Sequence, residues 1–273
     1  MVILLVSVLL ISNIYCNAAP SLRLFENTPE NVARLKHLQP DDLAEELSGQ
    51  FEGDMILTDN QYSEVTRKNG LIVEKYRWPM NTVFYEIEEE WFDLEQINYI
   101  YEAMRLIETS TCVRFKPRDF NNQDYVRIHG NSSGCSATVG HIGGNQTIKL
   151  QPYPLDKGCF KIGSIVHEFI HALGFRHMQS TFNRDEYVEI VWDNIREGHD
   201  KNFMLYSSDQ VGNYDAEYDY GSVMHYSSTA FSSNGQKTIV ALKDTAEKMG
   251  QRDGMSKTDI LKINKMYDCI TET

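Results

Sequence analysis

The chain has 273 residues and a formal net charge of −13, with 39 acidic against 26 basic side chains. That balance excludes a nucleic-acid surface or attraction to an anionic membrane, since both need an excess of positive charge. A hydrophobic fraction of 41% supports a packed core, and the length fits one or two domains.

Val2 to Ile11 is an apolar run broken only by Ser7 and followed by small residues at Ala18 and Ala19. It is short for a membrane span and reads as the core of a secretory signal peptide, residues 1–18, although no Lys or Arg precedes it. Cleavage after Ala18 removes Cys16 and leaves Cys112, Cys135, Cys159 and Cys269. An even number of cysteines in an exported chain predicts two disulfides, with three possible connectivities, and the lack of C-x-x-C spacing argues against a thiolate metal site. Residues 19–68 carry ten acidic and five basic side chains, with short helices expected at Asn31 to Leu38 and Asp41 to Leu47. They have too little apolar surface for an independent domain. The segment ends at Arg67-Lys68 before Asn69-Gly70, a basic pair of the kind that a trypsin-like protease cuts. Residues 19–68 are therefore read as a propeptide and 69–273 as the functional domain.

Trp78-Pro79 marks a turn, after which Thr82 to Ile87 alternates as a strand. Asp93 is placed to cap a helix from Leu94 to Ile107, with Ile97, Ile100, Tyr101, Met104 and Ile107 on one apolar stripe. Cys112 to Phe115, Tyr125 to Ile128 and Thr147 to Leu150 are short strands separated by glycine turns. Asn131-Ser132-Ser133 and Asn145-Gln146-Thr147 have the form of glycosylation acceptors. A helix starting near Gly158 or Lys161 buries Ile162, Ile165, Val166, Phe169 and Leu173. Helix, strands and helix in this order give an α+β fold, a mixed sheet with helices behind it. Beyond His177 the pattern loosens. Tyr187 to Trp192 reads as a turn or short helix, and Ser207 to Tyr220 as irregular chain. Ser256 and Asp259 form a capping box that opens a last helix with Ile260, Ile263 and Met266 inward and Cys269 stapling it to the body.

The chemistry concentrates in His167-Glu168-Phe169-Ile170-His171-Ala172-Leu173-Gly174-Phe175-Arg176-His177. On a helix, His167 and His171 stand one turn apart on the same face, with Glu168 beside them. Gly174 tolerates the positive φ that ends a helix sharply, so the chain can turn back and bring His177 to the same metal. Three imidazoles with an open fourth position for water make a catalytic zinc arrangement, and Glu168 is the carboxylate placed to act as base. Requiring Gly174 and His177 as well as the two-histidine motif cuts chance occurrence to roughly one in 10⁵. In Ser222-Val223-Met224-His225-Tyr226, Met224 offers a soft apolar support for the imidazoles and Tyr226 a hydroxyl for metal or oxyanion.

Taken together these residues resemble the astacin family of metzincin metallopeptidases, and the resemblance covers nearly the whole chain. It rests on the zinc motif and the methionine turn, and further on Phe51-x-Gly53-Asp54, Arg77-Trp78-Pro79, Gly134-Cys135-Ser136 through Gly158-Cys159, and Arg184-Asp185. It implies a two-lobed catalytic domain, with the sheet and zinc helix in the upper lobe and a largely irregular lower lobe with a C-terminal helix. One Zn²⁺ is then held by His167, His171 and His177, with Glu168 as base and Tyr226 as a mobile fifth ligand that stabilises the oxyanion. The resemblance also implies the pairs Cys112–Cys269 and Cys135–Cys159. In the latent form Asp54 replaces the catalytic water until cleavage at Arg67, Lys68 and Asn69.

The expected product is a secreted, monomeric zinc endopeptidase that acts on proteins or peptides and is activated by a trypsin-like protease, with no nucleic-acid or membrane partner. The alternative is a catalytically silent secreted module that keeps its zinc. One departure stands out. The family usually carries Glu after the third histidine, where it meets the new amino terminus, and this chain has Met178. Thr181, Phe182 and Asn183 also replace the usual Arg, Pro and Asp. Hydrolysis is expected to survive these changes, with an amino terminus tolerant of how it is processed.

Overall fold

The computed structural model describes residues 44–67, 73–207, 214 and 216–269. The signal peptide read at 1–18, the expected helix at Asn31 to Leu38, and Lys68 and Asn69 of the processing site lie outside them. Among the described residues no helix is long and apolar enough to cross a membrane.

Among the described residues, twelve α-helices and strands in chain order build the fold: β1 (Met55–Ile56), α1 (Asp59–Arg67), β2 (Thr82–Ile87), α2 (Leu94–Ser110), β3 (Arg114–Pro117), β4 (Tyr125–His129), β5 (Cys135–Thr138), β6 (Asn145–Leu150), α3 (Ile162–Ala172), β7 (Val188–Ile190), β8 (Ile239–Ala241) and α4 (Lys257–Met266). Six strands form one mixed sheet in the order β1-β5-β6-β4-β2-β3. Only β5 runs antiparallel to its neighbour β6; every other pairing is parallel. Helix α2 starts where Asp93 accepts from Gln96 N–H and Gln96 answers with its side chain, a full capping box. Its buried stripe is Ile97, Ile100, Ala103, Met104 and Ile107, packed beside α3. Tyr101, expected on that stripe, is 43% exposed, with its ring edge-on to Tyr85 at 6.3 Å.

The zinc-motif helix α3 is buried all round, from Gly163 to Ala172. Such a helix cannot leave its terminal carbonyls to water, and each finds a donor. The indole of Trp78 donates to Ala172 O at 2.8 Å, the hydroxyl of Tyr267 to Leu173 O at 2.9 Å, and the amides of Gly140 and Gly174 to His171 O at 2.9 and 2.8 Å. Two disulfides brace the same region. Cys135–Cys159 ties β5 to the turn before α3, and Cys112–Cys269 ties the start of β3 to the chain after α4.

A second core lies beyond α3, built from Met178, Val188, Ile190, Phe203, Tyr218, Tyr220, Tyr226 and Phe231. It has little regular structure apart from the two-stranded β7–β8 ladder. Residues 187–192, expected as a turn or helix, supply β7, because the partner β8 lies about fifty residues away and a three-residue strand carries almost no periodic signal of its own. Helix α4 begins at the expected Ser256/Asp259 capping box and buries Ile263 and Met266 in the first core. Ile260 is only half-buried, and Lys262 takes the inward place beside Ile263.

Removing the donor that closes α3 tests this account. Trp78→Phe leaves Ala172 O buried without that partner and is expected to cost about 1–3 kcal/mol. Urea unfolding of the zinc-loaded protein measures it, and an unchanged midpoint would show that the α3 terminus does not depend on the indole.

Candidate active site

Four buried ligands converge at the junction of the two cores. His167 and His171 project from α3, one turn apart. The chain leaves the helix through Gly174, at φ +106°, where a Cβ would lie 2.9 Å from Met266 Cε. It then brings His177 round to the same point, and Asp54 arrives from the segment before β1. Asp54 Oδ2 lies 3.1 Å from His167 Nε2, and Asp54 Oδ1 lies 3.3 Å from His171 Nε2 and 3.2 Å from His177 Nε2. All four side chains are 0–1% exposed.

These atoms fit zinc. Tetrahedral ligands about 2.0–2.1 Å from zinc sit about 3.3 Å from one another; the Asp54 oxygens stand 3.1–3.3 Å from the three imidazole nitrogens, and one ligand atom from each residue lies within 4.8 Å of the others. Among the described residues, Asp54 Oδ1, His171 Nε2 and His177 Nε2 are buried without a hydrogen-bond partner although they face one another. Acceptors so arranged are stable around a cation. The Nδ1 side of each ring is committed elsewhere: His167 donates to Val223 O at 2.7 Å, His171 to Phe175 O at 2.8 Å, and His177 to the Glu52 carboxylate at 2.8 Å. Each Nε2 therefore keeps its lone pair for a metal.

Electrostatics follow from this packing. Burial alone would raise Asp54, but His177 and His171 hold its carboxyl well below the usual range. Burial lowers His171 to about 4, whereas His177, between Asp54 and Glu52, is raised to about 9 against its own desolvation. Glu168 is fully buried beside the ligands, and among the described residues neither of its carboxylate oxygens has a hydrogen-bond partner. Burial, with Asp54 and Glu45 nearby, pushes its carboxyl well above the ordinary value.

The methionine turn supports the centre through its backbone. Val223 O holds His167, and Met224 O accepts from Met178 N at 2.9 Å, tying the turn to the residue after His177. Asp259 anchors the turn by accepting from Ser222 Oγ at 2.6 Å and from Val223 N at 2.9 Å. Tyr226 packs its ring 4.7 Å from that of His177 and donates its hydroxyl to Glu52 O at 2.5 Å.

Comparison with known proteins places this constellation. Residues 71–268 match the peptidase family described as Astacin. The chain belongs to the astacin family. Seminal metalloprotease 1 of Drosophila melanogaster is 41% identical over 228 residues, which cover 82% of this chain and 88% of that protein. Zinc metalloproteinase nas-4 of Caenorhabditis elegans is 41% identical over 80% of this chain and 69% of that protein. Among solved structures, high choriolytic enzyme 1, a hatching enzyme zinc-protease from Oryzias latipes, superposes with a TM-score of 0.64 at 34% identity, covering 71% of this chain and 94% of that one. This astacin-family chain is a zinc-dependent metalloendopeptidase with a protein or peptide substrate class, and among the described residues it has one candidate zinc site, Asp54, His167, His171 and His177.

Several residues around this astacin-family centre carry no motif signal. Glu45 pairs with Arg252 and accepts from Ser164 Oγ. Burial would raise Glu45, but the Arg252 guanidinium holds it at about 2. Glu46 accepts from Phe231 N at 3.0 Å and from Arg196 Nη2 at 3.2 Å. These contacts join positions more than 100 residues apart, and only the acidic pair Glu45-Glu46 hinted at a basic counterpart. Asp259 was legible as a helix cap but not as the anchor of the methionine turn. Met178 is buried, and the Lys262 ammonium approaches its sulfur at 3.1 Å. Arg67 is the last residue of α1. Asn131 and Asn145 are both exposed.

Proposed function

We propose that the protein is a secreted endopeptidase made as a zymogen, with residues 19–68 as its inhibitory propeptide and 69–273 as its catalytic domain. The observation that carries this reading is Asp54. Its carboxylate occupies the fourth position of the histidine cluster, where an attacking water would otherwise stand. Met55 and Ile56 then continue as β1 along β5, and the Glu45–Arg252 and Glu46–Arg196 pairs fasten the preceding turn. A trypsin-like cut near Arg67, Lys68 and Asn69 would release all of these contacts together.

Zinc, when bound, lowers the pKa of a water it holds and polarises a substrate carbonyl. Glu168 acts as general base: a desolvated carboxylate beside the ligands, with no protein partner, takes the proton from the attacking water and passes it to the leaving nitrogen. Tyr226 gives up Glu52 O when the segment leaves and turns its hydroxyl to the developing oxyanion. His167, His171 and His177 hold the metal, and Gly174 and Met224 keep the third of them in place. The signal peptide read at 1–18 supports export, and exposed Asn131 and Asn145 suit glycan attachment.

Trimming by trypsin tests the reading, with Glu168→Gln in parallel. About one zinc per chain is expected in both proteins, with casein hydrolysis strong only in the trimmed wild type, weak before trimming, and lost on chelation. Stoichiometric zinc without activity after confirmed trimming would favour the silent binding module.

Latency should also depend on pH through Glu46. Burial pushes its carboxyl up to about 7, with Glu45 adding repulsion, against the pull of Phe231 N–H and Arg196. A docked pKa above the free value means that Glu46 stabilises docking fully below about 4.5 and loses that contribution as the pH rises through about 7. The activity of untrimmed relative to trimmed enzyme should therefore rise between about pH 5 and 8. Glu46→Gln should flatten the rise, and an unchanged slope in that variant would assign it to another group.

Met178 leaves no carboxylate for the new α-amine, and the buried Lys262 ammonium already sits against it. An amine brought there would meet a like charge instead of an ion pair, whose rupture elsewhere costs about 3–5 kcal/mol. Forms beginning at Asn69 or a few residues earlier should thus agree in kcat/KM within about threefold. A much larger advantage for the Asn69 form would show that the terminus is anchored after all.

A further inference from the structure

The three zinc histidines differ in where their outer hydrogen bonds go. His167 and His171 donate Nδ1–H to Val223 O and Phe175 O, carbonyls of the catalytic domain itself. Among the described residues, His177 Nδ1 has one partner, Glu52 Oε2 at 2.8 Å. Glu52 belongs to the segment that blocks the site.

Blocking does not require this contact, since Asp54 alone fills the fourth position. Yet Glu52 is 1% exposed and its conformation is costly. Its φ of +47° lies in the left-handed region, which a residue with a Cβ adopts at a penalty of about 1–3 kcal/mol unless its surroundings enforce it. Three groups enforce it. His177 Nδ1–H donates to one carboxylate oxygen, Tyr206 Oη–H to the other at 2.5 Å, and Tyr226 Oη–H to the main-chain carbonyl at 2.5 Å. A carboxylate on the far nitrogen of an imidazole fixes its tautomer and makes the near nitrogen a stronger donor to a cation.

We propose that Glu52 is a positioning residue for zinc: through His177 it strengthens metal binding in the untrimmed chain, so that the propeptide assists zinc loading as well as blocking substrate. This rests on the propeptide reading above. Trimming removes Asp54 from the metal and Glu52 from His177 in one event. The order of maturation follows, zinc first and cleavage second.

The test compares zinc affinity of untrimmed wild type, Glu52→Gln and Glu52→Ala by competition with a chromophoric chelator. Gln keeps the shape and an acceptor but removes the charge, so a purely structural role predicts little change in that variant. Both variants are expected to lose zinc about tenfold more readily than wild type. The visible spectrum of the cobalt-substituted untrimmed chain should shift with them. After trimming, all three proteins are the same polypeptide, and their affinities and spectra must coincide. Untrimmed variants within about twofold of wild type, or a difference that persists after trimming, would overturn the proposal. Mass spectrometry and gel filtration of the trimmed samples show whether residues 19–68 leave. If they stay, the propeptide reading fails, while the untrimmed comparison still decides whether Glu52 supports zinc.

Discussion

Three buried imidazoles can share one cation only if each presents a lone pair to it, and that fixes where each other nitrogen must send its proton. Val223 O, Phe175 O and the Glu52 carboxylate receive those protons, and much of the structure serves to hold these three acceptors. Val223 is held by Asp259, which also accepts from Ser256 N in the capping box that opens α4. Phe175 follows the only glycine in the motif, and its carbonyl reaches His171 because Gly174 reverses the chain there. A chain of hydrogen bonds thus runs from the C-terminal helix through the methionine turn to the first ligand.

The burial of α3 is the second constraint. A helix exposed on one face would present its histidines to water on a flexible rod. Here every residue from Gly163 to Ala172 is enclosed, so the ligands inherit the rigidity of the core. Enclosure in turn demands donors for the helix end, and Trp78, Gly140 and Tyr267 supply them from three distant places in the chain. At the other end Gly163 lets Arg252 pass: a Cβ there would stand 2.2 Å from the Arg252 backbone, whose carbonyl accepts the Gly163 amide. The guanidinium that holds Glu45 is thereby placed beside the zinc helix.

Legibility in the sequence followed the range of the interaction. Helices α2, α3 and α4 were readable because capping boxes, apolar periodicity and the zinc spacing are local patterns. Strand β2 was readable with its bounds exact, and β3, β4 and β6 with errors of one or two residues at their ends. Strands β1, β5, β7 and β8 were not, being two to four residues long and defined by partners elsewhere in the chain. In the site, the ligands and base stood out because one short helix and turn carry them. Glu52, Arg196 and Lys262 did not, since each matters through a contact with a residue more than 80 positions away. Lys262 is the sharpest case: a charged residue beside the apolar stripe of α4, it lies inward against Met178, and burial lowers its ammonium pKa. The departure at Met178 was visible in sequence, but the cation that accompanies it was not.

The path of the blocking segment also bears on what the enzyme accepts. Met55 and Ile56 pair in parallel with Ala137 and Thr138 of β5, where Ala137 N donates to Asp54 O at 2.9 Å and Val139 N to Ile56 O at 3.2 Å. On the proposed trimming, β5 becomes an edge strand whose free amides lie within two residues of contact with the zinc site. An unpaired edge recruits extended backbone regardless of side chain, and a peptide added there presents successive carbonyls along the strand. The same amides that position the inhibitory aspartate can then position a scissile bond, and the chain must be locally unfolded to use them. On the proposed zymogen reading, latency and substrate selection are one interaction seen with two occupants: the β5 edge that pairs with Met55 and Ile56 in this structure is then the edge offered to an extended substrate.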